Sequence, residues 1–155
     1  MDHNDTSRAL RLAEFLPYRL SVLSNTVSTA IAADYQREFG LNIWQWRIMA
    51  VIGESAGLTA SDVTARTAMD KVAVSRAVAA LEARGLLQRQ ADPGDARAAL
   101  LDLTESGRAI YEQIVPLALA HERRLLDALT EQEQRALEGL LDKLASTAAQ
   151  GRSLW

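Results

Sequence analysis

The sequence contains no cysteine. This excludes disulfides, thiol catalysis, thiol redox sensing and any cysteine metal site. It contains two histidines: His3 lies near the N-terminus and His121 stands beside Glu122 and Arg123. No His, Asp or Glu spacing matches a metal site, so no metal and no cofactor is expected. There is no glycine-rich phosphate loop and no nucleophile elbow, so an enzyme is not expected either. No stretch approaches the roughly 18 consecutive apolar residues of a membrane span. The N-terminus has no apolar run behind a basic region, the mark of a secretory signal. A cytoplasmic protein without membrane partners is the expectation, and the lack of cysteine is compatible with a reducing compartment.

What remains is an ordinary globular composition, 155 residues with 48% hydrophobic and 24% charged. That length suits one domain with or without helices for assembly, and it suffices to bury roughly 68–70% of the unfolded surface. The net charge is −3, whereas a nucleic-acid binder usually carries a basic footprint. The charge is unevenly spread. From Arg66 to Arg97 there are six bases and four acids, and from Ala109 onward seven acids and five bases.

The periodicity is that of a mainly helical chain. Leu16, Leu20, Leu23, Val27 and Ile31 predict an amphipathic helix within residues 7–39, with Pro17 near a bend or a start and Gly40 as its stop. LNIWQWRIMAVIGES is apolar on nearly every side and predicts a buried helix, with Trp46, Met49 and Val51 in the core. Trp44, at its start, is either packing or the lining of a ligand pocket. In LTASDVTARTAM, Thr59 and Asp62 form a capping box, and Val63 faces in. Asp70 caps a second helix, KVAVSRAVAALEARG, which stops at Gly85. There Val74, Ala77, Val78 and Leu81 fall on one face, and Lys71, Ser75, Arg76 and Ala79 lie away from it. Two helices joined by a short turn, the second with cations and a hydroxyl on its outer side, meet the requirements of a helix-turn-helix.

After Gly85 the pattern changes. LLQRQ and AALLDL are short enough for strands, and DPGDAR between them supplies turn chemistry, so a hairpin is expected. If Asp95 and Arg97 enter a strand, residues i and i+2 share a side, and the acid can brace the guanidinium for an external contact. Thr104 then opens a long helix with Pro116 inside, where a kink is expected. Thr130 and Glu133 form a second capping box before a helix with Leu137, Leu140, Leu141 and Leu144 on one stripe. The residues at either end of the chain are the expected loose segments. The fold class is thus mainly α with a small β-hairpin wing. A winged helix-turn-helix at residues 41–103 is flanked by an N-terminal dimerisation helix (1–40) and C-terminal dimerisation helices (104–155). These outer helices carry more apolar face than the middle can cover, so a homodimer is expected, two-fold symmetric like most soluble oligomers. Such a dimer would read two DNA half-sites about one helical turn apart.

These residues also resemble the multiple antibiotic resistance regulators, the MarR family of bacterial transcription factors. The resemblance runs from Leu16 to Leu144. Its most specific piece is Asp92-x-x-Asp95-x-Arg97 followed by Leu103-Thr104-x-x-Gly107. Gln45-Trp46, Val74-Ser75-Arg76 and Leu81-Glu82-x-x-Gly85-Leu86 agree with it in order and spacing. The resemblance implies a cytoplasmic, dimeric repressor that binds double-stranded DNA at a palindromic operator. Arg97 would enter the minor groove braced by Asp95, and Ser75 and Arg76 would contact DNA from the recognition helix. It also implies release by a small, commonly aromatic, anion bound between the dimer helices and the winged domain, with Trp44 and Arg47 as candidate lining. Lys71, a cation at a helix start where the dipole disfavours it, is expected near a phosphate. Arg84 and Arg89 are either phosphate contacts or plain surface residues. Two features depart from the pattern: the alanine-rich recognition helix leaves few side chains to read bases, and the net charge is acidic. The alternative is a winged-helix module for protein partners, which the salt dependence of DNA binding would distinguish.

Overall fold

The computed structural model describes residues 10–95 and 97–151. Of the first six and last six residues, expected to be loose, only Gln150 and Gly151 are described, and they fall in the last helix; His3 lies outside the described residues. A short 3-10 turn at Leu12–Glu14 precedes α1 (Leu16–Phe39), α2 (Ile43–Glu54), α3 (Ala60–Thr67), α4 (Lys71–Ala83), β1 (Leu87–Ala91), β2 (Ala99–Leu103), α5 (Glu105–Leu126) and α6 (Glu131–Gly151). The chain divides into two compact units, residues 1–114 and 115–155. The division falls inside α5, next to Pro116. Among the described residues no helix is long and apolar enough to cross a membrane.

Local chemistry sets most helix ends. Phe15 is extended at the start of α1 and Pro17 occupies its first turn, where a missing N–H costs nothing because that donor has no helical partner. The helix therefore starts at Leu16, well after residue 7. Gly40 ends it in the left-handed conformation, φ 63°, which glycine adopts without steric cost. The Asn42 side chain accepts from the Gln45 N–H at 2.9 Å, and the Gln45 side chain accepts from the Asn42 N–H at 3.0 Å. This closes a capping box at α2. The Thr59 N–H donates to Asp62 at 2.9 Å and the Thr59 hydroxyl accepts from the Asp62 N–H at 3.2 Å. The Thr59 hydroxyl also donates to the Asp62 carboxylate at 2.6 Å, and this bond first, then that from the Thr59 N–H, holds the Asp62 carboxyl below the usual carboxylate range.

The core of the first unit centres on α2. Ile48, Met49 and Ile52 are fully buried, as are Tyr35 and Leu41 from the α1 side and Val63, Leu81, Leu101 and Ile114 from the rest. Trp46 and Val51 are half-buried rather than central. The Trp46 ring lies between Tyr35, tilted against it (centroids 5.1 Å), and Tyr111, stacked on it (6.3 Å), tying α1, α2 and α5 together. Burial, then the neighbouring Asp34 charge, pushes the Tyr35 phenol up to about 12. The Tyr111 ring fits only because Gly53 has no side chain: a Cβ there would stand 2.6 Å from it.

β1 and β2 pair antiparallel, Leu87 opposite Leu103 and Ala91 opposite Ala99, and Leu58 adds a bridge to Leu101. The base of the hairpin is locked to α5. Thr104 donates from its N–H to Leu86 O at 3.2 Å and from its hydroxyl to Gly85 O at 2.6 Å, while that hydroxyl accepts from the Gly107 N–H at 3.0 Å. Gly107 makes the approach possible, since a Cβ there would lie 2.0 Å from Leu86 O. The opposing atom is backbone and cannot swing aside.

In the second unit, Thr130 and Glu133 cap α6 (Thr130 N–H to Glu133, 2.8 Å), and Gln134 donates to Leu126 O and Leu129 O to close the turn before it. Leu137, Leu140, Leu141 and Leu144 are all exposed in the single chain.

Gly107→Ala is expected to lower the unfolding free energy by about 2 kcal/mol or more, because a forced methyl must displace backbone. Urea denaturation would measure it, and an unchanged midpoint would refute the close approach.

Candidate nucleic-acid interface

α3 and α4 are joined by Ala68, Met69 and Asp70. Ala68 takes a left-handed conformation, φ 53°, uncommon for a residue with a Cβ. The turn is anchored by Met69, 6% exposed, and by Asp70, whose carboxylate accepts from the Ala73 N–H at 2.8 Å. α4 then presents two opposite stripes. Val74, Ala77, Val78 and Leu81 are buried. Residues 72, 75, 76 and 79, spaced in the same helical rhythm, are all exposed. The outer stripe is thus Val72, Ser75, Arg76 and Ala79, with Lys71 exposed beside it. Lys71, Val72, Ser75 and Arg76 line a cavity of about 550 Å3 together with Ala60, Ser61 and Thr64 of α3. Sequence reasoning placed Lys71, Ser75 and Arg76 here and missed Val72, which is 58% exposed. The signal was available, because Val72 and Val74 cannot share one face of a helix.

Two expected DNA contacts are engaged elsewhere. Arg84 donates to Phe39 O at 2.7 Å and to Gly40 O at 2.8 Å. Its guanidinium caps the carbonyl end of α1, where a cation also suits the helix dipole. Arg89 forks onto Glu82, Nε to Oε1 at 2.8 Å and Nη2 to Oε2 at 3.2 Å, a bidentate pair that joins β1 to α4. Arg89 also lines the cavity with Lys71, Ser75 and Arg76.

The wing tip also differs from expectation. β1 ends at Ala91 and β2 begins at Ala99, so Asp95 and Arg97 lie in the loop, where strand alternation does not apply. The loop is built from two successive turns: the Asp95 N–H donates to Asp92 O at 3.3 Å, and the Ala98 N–H to Asp95 O at 3.0 Å. Asp92 accepts from the Gly94 N–H at 2.7 Å. Asp95 accepts from the backbone N–H of Arg97 at 2.9 Å. The acid therefore positions the main chain at residue 97, and the guanidinium is not what it braces. Arg97 is exposed.

Trp44 and Arg47 come together on α2. The guanidinium carbon lies 5.3 Å from the Trp44 ring centroid, a cation–π distance, and Arg47 reaches Ser28 of α1 at 3.4 Å. Trp44 is 45% exposed, so the single chain does not use it as core. With Asn42, Gln45, Ala73 and Arg76 it lines a smaller cavity of about 280 Å3. Among the described residues no cluster of three His, Asp or Glu could hold a metal ion.

Comparison with known proteins places this arrangement. Residues 39–98, from the end of α1 through the wing tip, match the MarR family model. The crystal structure of a MarR family transcriptional regulator from Silicibacter pomeroyi is 31% identical, covering 90% of this chain and 99% of that one with a TM-score of 0.77. The chain belongs to the MarR family. MarR proteins are DNA-binding transcriptional regulators, not enzymes. An HTH-type transcriptional repressor of Mycobacterium tuberculosis is 27% identical over 133 residues, 85% of this chain and 92% of the relative. BpsR of Bordetella bronchiseptica, whose DNA binding is regulated by 6-hydroxynicotinic acid, is 27% identical with a TM-score of 0.78, covering 89% of this chain and 98% of that one. The span matched by the family model carries the helix-turn-helix, β1 and the wing tip.

Arg84→Ala is expected to cost about 1 kcal/mol of stability: bonds to a charged donor contribute more than neutral ones, but this pair is exposed and so partly replaced by water. Guanidinium denaturation would test it, and an unaltered unfolding curve would remove Arg84 from its capping role.

Proposed function

We propose that this MarR protein is a dimeric repressor that grips a palindromic operator with α4 and the wing and releases it when a small aromatic anion binds. One observation carries the DNA-contact assignment. The outer stripe of α4 is exposed along its length while the opposite stripe is buried, and the chain leads from it into a hairpin whose tip exposes an arginine. In this assignment α4 lies in the major groove with Ser75 and Arg76 toward base edges, Lys71 toward a phosphate, and Arg97 in the minor groove. Asp95 shapes the backbone that carries Arg97. Arg84 and Arg89 hold the reading elements together.

Dimerisation is supported by apolar side chains that the single chain leaves uncovered. Leu16, Leu20 and Leu23 on α1 are 47%, 42% and 56% exposed. In the second unit, Leu140, Leu141 and Leu144 on α6 are 56%, 47% and 44% exposed. Apolar stripes of this kind mark association surfaces, and a second copy covers them. An effector is supported by the pairing of Trp44 with Arg47. A flat ring can stack on the indole while its carboxylate meets the guanidinium. The regulation of BpsR by 6-hydroxynicotinic acid fits that chemical class.

Fluorescence anisotropy against DNA tiled over the gene's upstream region, with random DNA as control, tests the assignment. One fragment should bind about a thousandfold or more above random DNA, with affinity falling steeply as salt rises. Arg76→Ala and Arg97→Ala should each weaken it by about 1–3 kcal/mol. Arg84→Ala should leave the salt slope unchanged, whereas loss of a phosphate contact lowers it by about one. Equal binding of all fragments, or no salt dependence, would point instead to a protein partner. Light scattering at micromolar concentration should give twice the mass of the 155-residue chain; a monomer mass would overturn the dimer.

A further inference from the structure

Val72 is the residue of α4 that the phosphate and hydrogen-bond chemistry above leaves without a role. It is 58% exposed, while Val74 and Val78 on the same helix are 1% exposed. A β-branched side chain loses rotamer freedom in a helix, and at position 72 no burial within the chain offsets that loss. A single exposed valine elsewhere would call for no explanation. This one shares the outer stripe with Ser75, Arg76 and Ala79, adjoins Lys71, and lines the cavity between α3 and α4. It also lies in the first turn of α4, and recognition helices meet base edges with their N-terminal residues.

The stripe has a distinct chemical content. Arg76 supplies donors that match the guanine edge, and Ser75 a hydroxyl that pairs with several bases. Val72 and Ala79 offer only methyl groups. The apolar feature of the major-groove edge is the 5-methyl group of thymine. A valine side chain held between the cations of Lys71 and Arg76 has no hydrogen bond to offer there, but it can exclude water from a methyl.

We propose that Val72 is a specificity-determining residue that packs on a thymine 5-methyl group in each operator half-site. This rests on the DNA-contact assignment for α4 and names part of what that helix reads. Removing one such methyl is worth about fourfold in affinity, and changing both half-sites about tenfold or more.

The experiment uses the full chain and the operator fragment found by tiling. Each thymine is replaced in turn by deoxyuridine, which deletes the methyl and keeps the pairing. For the natural protein, one symmetric pair of thymines should show the loss. Val72→Ala should bind the thymine operator more weakly, by a similar factor, and should no longer distinguish thymine from deoxyuridine at that pair. Lys71→Ala should weaken both duplexes equally. If every deoxyuridine operator binds as well as the original, or if Val72→Ala keeps the full thymine preference, the proposal is wrong while specific DNA binding stands. If the natural protein binds the operator no better than random DNA, the DNA-contact assignment itself fails. Circular dichroism of Val72→Ala should match the natural chain, since alanine is the better helix former at an exposed site.

Discussion

The rest of the winged unit depends on one contact, the approach of the α5 start to the backbone at Gly85–Leu86. Three segments converge there: the turn after α4 at Gly85, the residue before the sheet, Leu86, and the first turn of α5. Thr104 satisfies carbonyls of the first two and a free N–H of the third, and Gly107 supplies the clearance. A two-stranded hairpin alone is marginal in water. Here it is fastened at its base by hydrogen bonds and on its inner face by Leu101 and Leu103. The bidentate Arg89–Glu82 pair ties the same hairpin to α4, so wing and recognition helix are fixed to one another before any DNA is present.

α4 is held in a similar way at both of its ends. Asp70 caps its N-terminus, and Arg84 at its C-terminus reaches the last carbonyls of α1. The second link joins the helix assigned to DNA reading with the helix assigned to assembly through two hydrogen bonds. Ala68 forms the turn before α4 in a conformation that costs a Cβ-bearing residue on the order of 1 kcal/mol. The buried stripe of α4 and the anchoring of Met69 hold that turn in place.

What was legible in the sequence was local. Thr59 with Asp62, Thr130 with Glu133, Asp70 and Gly40 each act within a few residues, and their patterns carry their own mechanism. The stripe of Val74, Ala77, Val78 and Leu81 follows from helical geometry alone. The capping box of Asn42 and Gln45 is equally local, though it stands at the edge of a segment dominated by apolar residues. Other partners are set by tertiary structure. Arg84 meets carbonyls 44 and 45 positions away, and Leu58 pairs with Leu101; no spacing rule reaches that far. Asp95 differs for another reason. Its role changed with the element it belongs to: side-chain alternation holds in a strand and lapses in the double turn that the loop forms.

That double turn separates shape from chemistry at the wing tip. Both of its aspartates spend an oxygen on main-chain N–H groups, of Gly94 and of Arg97, and none of the tip's turn-closing bonds involves the side chain of residue 97. Among the described residues the hydrogen bonds that shape the loop are thus separate from the group it carries outward, so a change of side chain at position 97 removes none of them.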